Sequence, residues 1–136
     1  MKSRHTSVYL VEDSPIILQL LIELIEGTGA SVVGHADSAP AAIADIGVLH
    51  PDAVTIDISL KRGNGFDVLE ALAINHEGKP PLRIVLTNYA TDAYRDAAQN
   101  LGADYFFDKA RQVREALTVL SSLESANSRG DSALAA

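Results

Sequence analysis

Residues Ala53-Val54-Thr55-Ile56-Asp57 decide how this chain folds and where its chemistry lies. Four apolar or β-branched residues end abruptly in a carboxylate, with Pro51 before them and Lys61, Arg62 and Gly63 soon after. The run is too short for a buried helix and reads as a buried strand with its acidic end at the sheet rim. The same construction recurs along the chain. Val8-Tyr9-Leu10-Val11 runs into Glu12 and Asp13, Leu82-Arg83-Ile84-Val85-Leu86 into Thr87, and Tyr105-Phe106-Phe107 into Asp108 and Lys109. With Ser31–Ala36 these segments predict strands over 6–11, 31–36, 53–57, 82–87 and 104–107. Helical spacing fills the gaps, at about 14–27, 38–48, 65–75, 91–101 and 111–124. Gly27, Gly29, Gly78, Gly102 and the pair Pro80-Pro81 mark the breaks. Strict alternation of this kind implies βαβ crossovers, a mainly parallel sheet and helices on both faces.

In such a sheet, ligands bind outside the carboxyl ends of the strands. Glu12, Asp13, Asp57, Thr87 and Lys109 therefore share one rim. Three carboxylates, a hydroxyl and an ammonium suit a divalent cation beside a phosphoryl group. A carboxylate nucleophile repels phosphate unless a cation bridges them, and Mg2+, or Mn2+ in its place, accepts one or two carboxylates together with phosphate oxygens. Asp13 and Asp57 are the expected direct ligands, with Glu12 acting through water and the Ser59 backbone carbonyl completing the set. Thr87 and Lys109 are placed to take two phosphoryl oxygens, which is most of what phosphoryl transfer asks of a protein. Asp57, central among them, is the expected acceptor. Each residue has a plainer explanation: Asp13 as a helix cap before Ser14-Pro15, Asp57 as a strand end, Thr87 as a turn cap, Lys109 as a solvated charge. Their joint placement at the ends of strands one, three, four and five favours the site.

Composition narrows the remaining classes. The 136 residues suffice for one domain, assigned to 6–124, and a small, polar segment over 125–136 reads as a disordered tail. It contains Arg129-Gly130-Asp131, an adhesion-type tripeptide best explained by chance. A net charge of -7 argues against nucleic acid as a partner. The absence of cysteine excludes disulfides and thiolate metal sites. No apolar stretch reaches the length of a membrane span or a signal-peptide core, so the expectation is a cytoplasmic protein with no membrane partner.

The ordered pieces Val11-Glu12-Asp13-Ser14, Thr55-Ile56-Asp57-Ile58, Gly63-Asn64-Gly65, Leu86-Thr87-Asn88 and Gly102 through Lys109 resemble the receiver domains of two-component response regulators. The resemblance spans residues 6 to about 124. It implies a flavodoxin-like, doubly wound α/β fold with five parallel strands in the order 2-1-3-4-5 and five helices. It makes Asp57 the phosphorylated residue, Glu12, Asp13 and Asp57 the acidic pocket, and Thr87, Lys109 and Phe106 the switch. The donor would be a histidine kinase or a histidine phosphotransfer protein. The chain is similar to stand-alone receivers, so its output is expected through a further protein, whose identity is unknown, rather than through a DNA-binding domain. It is a signalling protein rather than a dedicated enzyme, catalysing only its own phosphorylation and dephosphorylation. A homodimer through the fourth and fifth helices remains open.

Departures from the family pattern carry information. Ala110 follows Lys109 where the family usually has a proline, often after a cis bond. A non-proline cis bond costs ~2.5–4 kcal/mol, so a trans bond is expected. Leu60-Lys61 replaces a common Met-Pro pair, Asn88 and Tyr89 follow the threonine, and Phe106 lacks a tyrosine hydroxyl.

The first helix is more apolar than one sheet requires, with Gln19, Glu23 and Glu26 confined to a narrow polar arc. Pro15, Leu18 and Ile22 are the expected docking surface for the phosphodonor; tight core packing is the rival explanation. Other signals are weak. His5, His35, His50 and His76 lack metal-ligand spacing. Gly27, Gly29 and Gly34 follow a helix rather than opening one, against a dinucleotide loop. An aspartyl phosphatase resembling the haloacid dehalogenases would carry a second Asp where Ser59 stands. A binding module without phosphorylation leaves the intact pocket unexplained.

Overall fold

The computed structural model describes residues 5–74 and 78–135, with side chains through 127. Five strands, β1 (Ser7–Val11), β2 (Ser31–Ala36), β3 (Ala53–Ile56), β4 (Leu82–Thr87) and β5 (Tyr105–Asp108), form one parallel sheet in the order β2-β1-β3-β4-β5. Between and after them run α1 (Pro15–Glu26), α2 (Ala39–Leu49), α3 (Gly65–Ile74), α4 (Asp92–Asn100) and α5 (Val113–Ala135). The architecture is the flavodoxin-like one expected from the sequence. Asn75, at the expected end of the third helix, and His76 lie outside the described residues.

The sheet separates two cores, as the two-residue period of a strand requires. Val8, Leu10, Ile84 and Leu86 pack against Leu21 and Ile25 of α1 and Ala116 and Leu120 of α5. Tyr9, Val11, Val54, Ile56, Val85 and Phe106 face the other way, onto α2, α3 and α4. The pairing of β1 with β2 shifts register between Val8 and Tyr9, so Val33 is left without a partner and Gly34 lies opposite Tyr9. A Cβ on Gly34 would stand 3.0 Å from the Tyr9 ring, so the glycine leaves space for that side chain. The Tyr9 hydroxyl donates to Asp45 Oδ2 at 2.6 Å. Burial, reinforced by that carboxylate, pushes its pKa up.

Helix starts are set locally. Ser14 Oγ accepts from the Ile17 amide with Pro15 in the first turn, Ser38 does the same for Ala41, and Thr91 for Tyr94. The cap of α1 is thus Ser14 rather than Asp13, which leaves the Asp13 carboxylate available at the rim.

One sequence expectation needs correction. The last helix does not end at 124: α5 continues to Ala135, so residues 125–135 are helical where a disordered tail was expected. Ser, Ala and Asn carry little hydrophobic signal, but nothing in Ser125–Ser128 breaks a helix, and tertiary ties hold it. The buried Glu124 carboxylate accepts from the Thr6 amide at 2.5 Å and from His5 Nδ1 at 2.9 Å, and Asn127 Nδ2 donates to Thr6 Oγ1 at 2.7 Å. Burial opposes the charge on Glu124, yet these bonds outweigh it and lower its pKa. On α1, Leu18 and Ile22 are half-buried against the α1–α5 core, with Leu18 also lining a cleft beside Glu12, Asp13 and Pro15, while Ile16 and Leu20 stand 81% and 47% exposed. Contact with both the sheet and α5 rotates the helix so that its apolar excess emerges at Ile16 and Leu20. Pro15 is exposed, as expected. Among the described residues, no helix is long and apolar enough to cross a membrane.

Candidate functional site

The carboxyl ends of β1, β3, β4 and β5 converge as the sequence predicts. Glu12 follows β1 and donates its amide to Ala36 O at 3.0 Å, which fixes the turn into α1. Asp57 follows β3, its amide bonded to Val11 O at 3.0 Å. Glu12, Asp13 and Asp57 each present an oxygen, and these oxygens lie within 4.8 Å of one another. Three hard oxygen donors, two from buried residues and one from half-exposed Asp13, fit a divalent cation such as Mg2+.

Lys109 binds this cluster directly. Its Nζ lies 2.7 Å from Glu12 Oε1 and 2.6 Å from Asp57 Oδ2, with the lysine side chain only 8% exposed. Desolvation disfavours its charge, but the hydrogen bonds it donates to Asp57 and Glu12 overcome it and raise its pKa, so the ammonium stays charged. For Glu12 burial dominates: its pKa is raised despite Lys109 and the Ser14 amide. The Ser14 amide donates to Glu12 Oε2 at 3.0 Å. Asp57 Oδ1 accepts from the Ser59 amide at 3.3 Å.

Thr87 is fully buried at the end of β4 and its Oγ1 accepts from the Tyr89 amide at 3.1 Å. The Lys109 amide donates to Thr87 O at 2.9 Å, tying the two phosphate-facing candidates together through the backbone. No cis peptide bond occurs among the described residues, so Lys109–Ala110 is trans with Lys109 still in the pocket, as expected. The turn has its own chemistry. Asp108 Oδ1 accepts from the Ala110 amide at 2.8 Å, a donor that proline lacks, and Gln112 Oε1 accepts from the Asp108 amide at 2.9 Å. A side-chain-bonded turn therefore stands where the family usually uses a proline ring.

The turn after Asp57 depends on close approach. The Gly65 amide donates to Ile58 O at 2.9 Å, and a Cβ on Gly65 would lie 2.5 Å from Asp57 O. Gly63 holds φ +68, a conformation that glycine reaches without steric cost. A cleft beside this turn is bounded by Ser59, Leu60, Asn64, Phe66, Tyr89 and Tyr94, the last two exposed.

Phe106 is 4% exposed. Arg95, which sequence reasoning passed over, donates from Nη1 to Phe106 O at 3.0 Å and lies 4.8 Å from the ring centroid. Nothing in the α4 pattern directs a reader to Arg95. Only the packing of that helix on β5 makes it a neighbour of Phe106.

The fold and this rim together define the class. Residues 8–121 match the model of the response regulator receiver domain, and the chain belongs to that family, the receivers of two-component systems. It is 36% identical over 111 residues to protein-glutamate methylesterase/protein-glutamine glutaminase 2 of Vibrio vulnificus (strain YJ016), a match covering 78% of this chain but 31% of that protein. The chain thus spans about a third of the length of that relative. The response regulator domain of Thermotoga maritima CheB superposes with a TM-score of 0.77 at 23% identity, covering 93% of this chain and 98% of that one. The receiver domain of a sensor histidine kinase from Pseudomonas aeruginosa PAO1, solved with a magnesium ion in its active site cleft, superposes with a TM-score of 0.76 at 19% identity, covering 88% and 97%.

Proposed function

We propose that Asp57 accepts a phosphoryl group from a phosphorylated histidine, and that the phosphorylated chain signals by binding another protein. The observation that carries this reading is the cluster of Glu12, Asp13 and Asp57 oxygens with Lys109 bridging two of the three carboxylates. In the transfer, an Asp57 carboxylate oxygen attacks phosphorus. A P–O bond forms as the donor's P–N bond breaks, and the imidazole leaves with the electron pair. Glu12, Asp13, Asp57 and the Ser59 carbonyl would hold Mg2+, or Mn2+, which supplies charge neutralisation between the acceptor and the phosphoryl oxygens. The magnesium-bound neighbour supports that assignment. Lys109 balances the charge added at Asp57, and Thr87 offers its hydroxyl to a phosphoryl oxygen in exchange for the Tyr89 amide. Phe106, joined to Thr87 through adjacent strands, repacks when that hydroxyl turns. The donor class is a histidine kinase or a histidine phosphotransfer protein, in the cytoplasm.

Incubation with acetyl phosphate and Mg2+ should add one phosphoryl mass to the intact protein, and an Asp57→Ala variant should gain none. An unmodified wild-type mass, or equal labelling of the variant, sinks the assignment.

The start of α1 borders the pocket: Pro15 and Leu18 line a cleft with Glu12 and Asp13, Ile22 follows on the same side, and the exposed apolar pair Ile16 and Leu20 lies across the polar arc of Gln19 and Glu23. The exposed surface of α1, Pro15, Leu18 and Ile22 included, is proposed to dock the phosphodonor. Ile16→Gln with Leu20→Gln should slow transfer from the cognate donor about tenfold or more, the loss of a central apolar anchor. Acetyl phosphate labelling and melting temperature should stay unchanged. Leu18→Gln with Ile22→Gln should lower stability as well. Donor transfer at the wild-type rate in the first variant would remove α1 from the interface.

A further inference from the structure

Three consecutive amides around Lys109 are engaged, two of them by side chains of the same turn. The Lys109 amide donates to Thr87 O at 2.9 Å. Before it, the Asp108 amide donates to Gln112 Oε1 at 2.9 Å; after it, the Ala110 amide donates to Asp108 Oδ1 at 2.8 Å. The Asp108 carbonyl closes the ring by accepting from the Gln112 amide at 2.7 Å. Asp108 and Gln112 are half-buried, and Gln112 O accepts from the Ala116 amide at 3.2 Å, which anchors the turn on the start of α5. β5 lies at the sheet edge with β4 as its only strand neighbour, so its outward amides need partners other than a strand. Gln112 is that partner for Asp108.

We propose that Asp108 and Gln112 are positioning residues for Lys109, holding its main chain so that Nζ reaches Glu12 and Asp57 together. The inference rests on the reading of Asp57 as phosphoryl acceptor given above, and names what aims the ammonium that balances its charge. A lysine stem is flexible, so the contact with two carboxylates at 2.7 and 2.6 Å holds only as well as the Lys109 Cα is held. A proline at 110 would restrict the turn through its ring but would have no amide to donate. Ala110 supplies that donor and Asp108 the acceptor, an aspartate bonding the amide two residues on, so hydrogen bonds impose the restriction instead. What the turn needs from Asp108 is an acceptor oxygen rather than a charge, and a carboxamide oxygen in the same place serves equally.

Acetyl phosphate labelling with Mg2+ is timed in the wild type, Asp108→Ala, Asp108→Asn and Gln112→Met. The Ala and Met variants should label about tenfold more slowly: a displacement near 1 Å at a reacting site costs about a hundredfold, and a loosened turn moves Lys109 by less. Asp108→Asn keeps the acceptor oxygen and should label at close to the wild-type rate. An Asn variant as slow as the Ala variant overturns the proposal, as does wild-type labelling by either the Ala or the Met variant. If Asp108→Ala does not fold, Gln112→Met carries the same test. A second readout is the side-chain 15N signal of the Lys109 ammonium, recorded with a chelator and no phosphodonor. Protons of a buried, bonded group exchange slowly with water, so this signal should be sharp in the wild type and Asp108→Asn, and broadened in the Ala and Met variants. Exposed Lys61 is the fast-exchanging reference. A Lys109 signal as broad as that of Lys61 in the wild type, or unaltered in the Ala and Met variants, overturns the proposal. If the wild type gains no phosphoryl mass, the functional reading falls, while the ammonium signal still decides whether Asp108 and Gln112 hold Lys109.

Discussion

Replacing Lys109 with Met is expected to destabilise the protein by about 3–5 kcal/mol in the presence of a metal chelator, because it removes one partner from a buried ionic cluster. Glu12 and Asp57 would then face each other with side chains 2% and 7% exposed and no cation between them. The ammonium at 2.7 and 2.6 Å now cancels that repulsion. Denaturant unfolding monitored at neutral pH measures the loss. Added Mg2+ should restore much of it, because a ligand that binds only the folded state stabilises it in proportion to its affinity. The restoration should be larger in the variant than in the wild type, where Lys109 competes for the same carboxylates. Equal stability of variant and wild type under chelation would mean that the bridge contributes nothing.

Gly65→Ala is expected to have the second large effect, and on phosphorylation more than on stability. The new Cβ would lie 2.5 Å from Asp57 O, 2.9 Å from Ile58 Cα and 3.0 Å from Ile56 Cγ2. Two of the three are backbone atoms, so relief requires the chain at Asp57 to move. Overpacking of this kind costs about 1–3 kcal/mol. A displacement near 1 Å at the acceptor can slow a positioned reaction by about a hundredfold. Acetyl phosphate labelling should therefore fall by about that factor in protein that remains folded. Gly47→Ala is the matched control. Gly47 lies within α2 with nothing within 4 Å of its Cβ position, so the change should stabilise by roughly 0.5–1 kcal/mol. Wild-type labelling by the Gly65 variant would show that the turn tolerates what the geometry forbids.

The strand ends were legible because they are encoded over four to six residues each. An apolar, β-branched run that stops at a carboxylate states both a buried strand and its polar rim, and no end of an observed strand differs from the expected one by more than a residue. The cap of α1 was legible only to within a residue: the sequence offers Asp13 before Ser14-Pro15, and Ser14 is the cap. The extension of α5 was not legible, because the ties that hold it reach back to His5 and Thr6 from Glu124 and Asn127. A weak local pattern was overridden by contacts more than a hundred residues distant in sequence.

The sequence by itself determined the parallel α/β architecture and the membership of the rim, namely Glu12, Asp13, Asp57, Thr87 and Lys109. Hydrophobic period and strand polarity settle those, and both are local. Tertiary structure alone decided how the rim is wired. Lys109 spans 97 positions to Glu12 and 52 to Asp57, and neither partner can be read from spacing. It also decided that Ile16 and Leu20 are the most exposed of the large apolar residues on α1, with Leu18 and Ile22 half-buried, and that Arg95 meets Phe106. A helix that is apolar around most of its circumference does not specify its own rotation. The sheet and the neighbouring helix set that angle by close packing, and with it which side chains stay available to a partner.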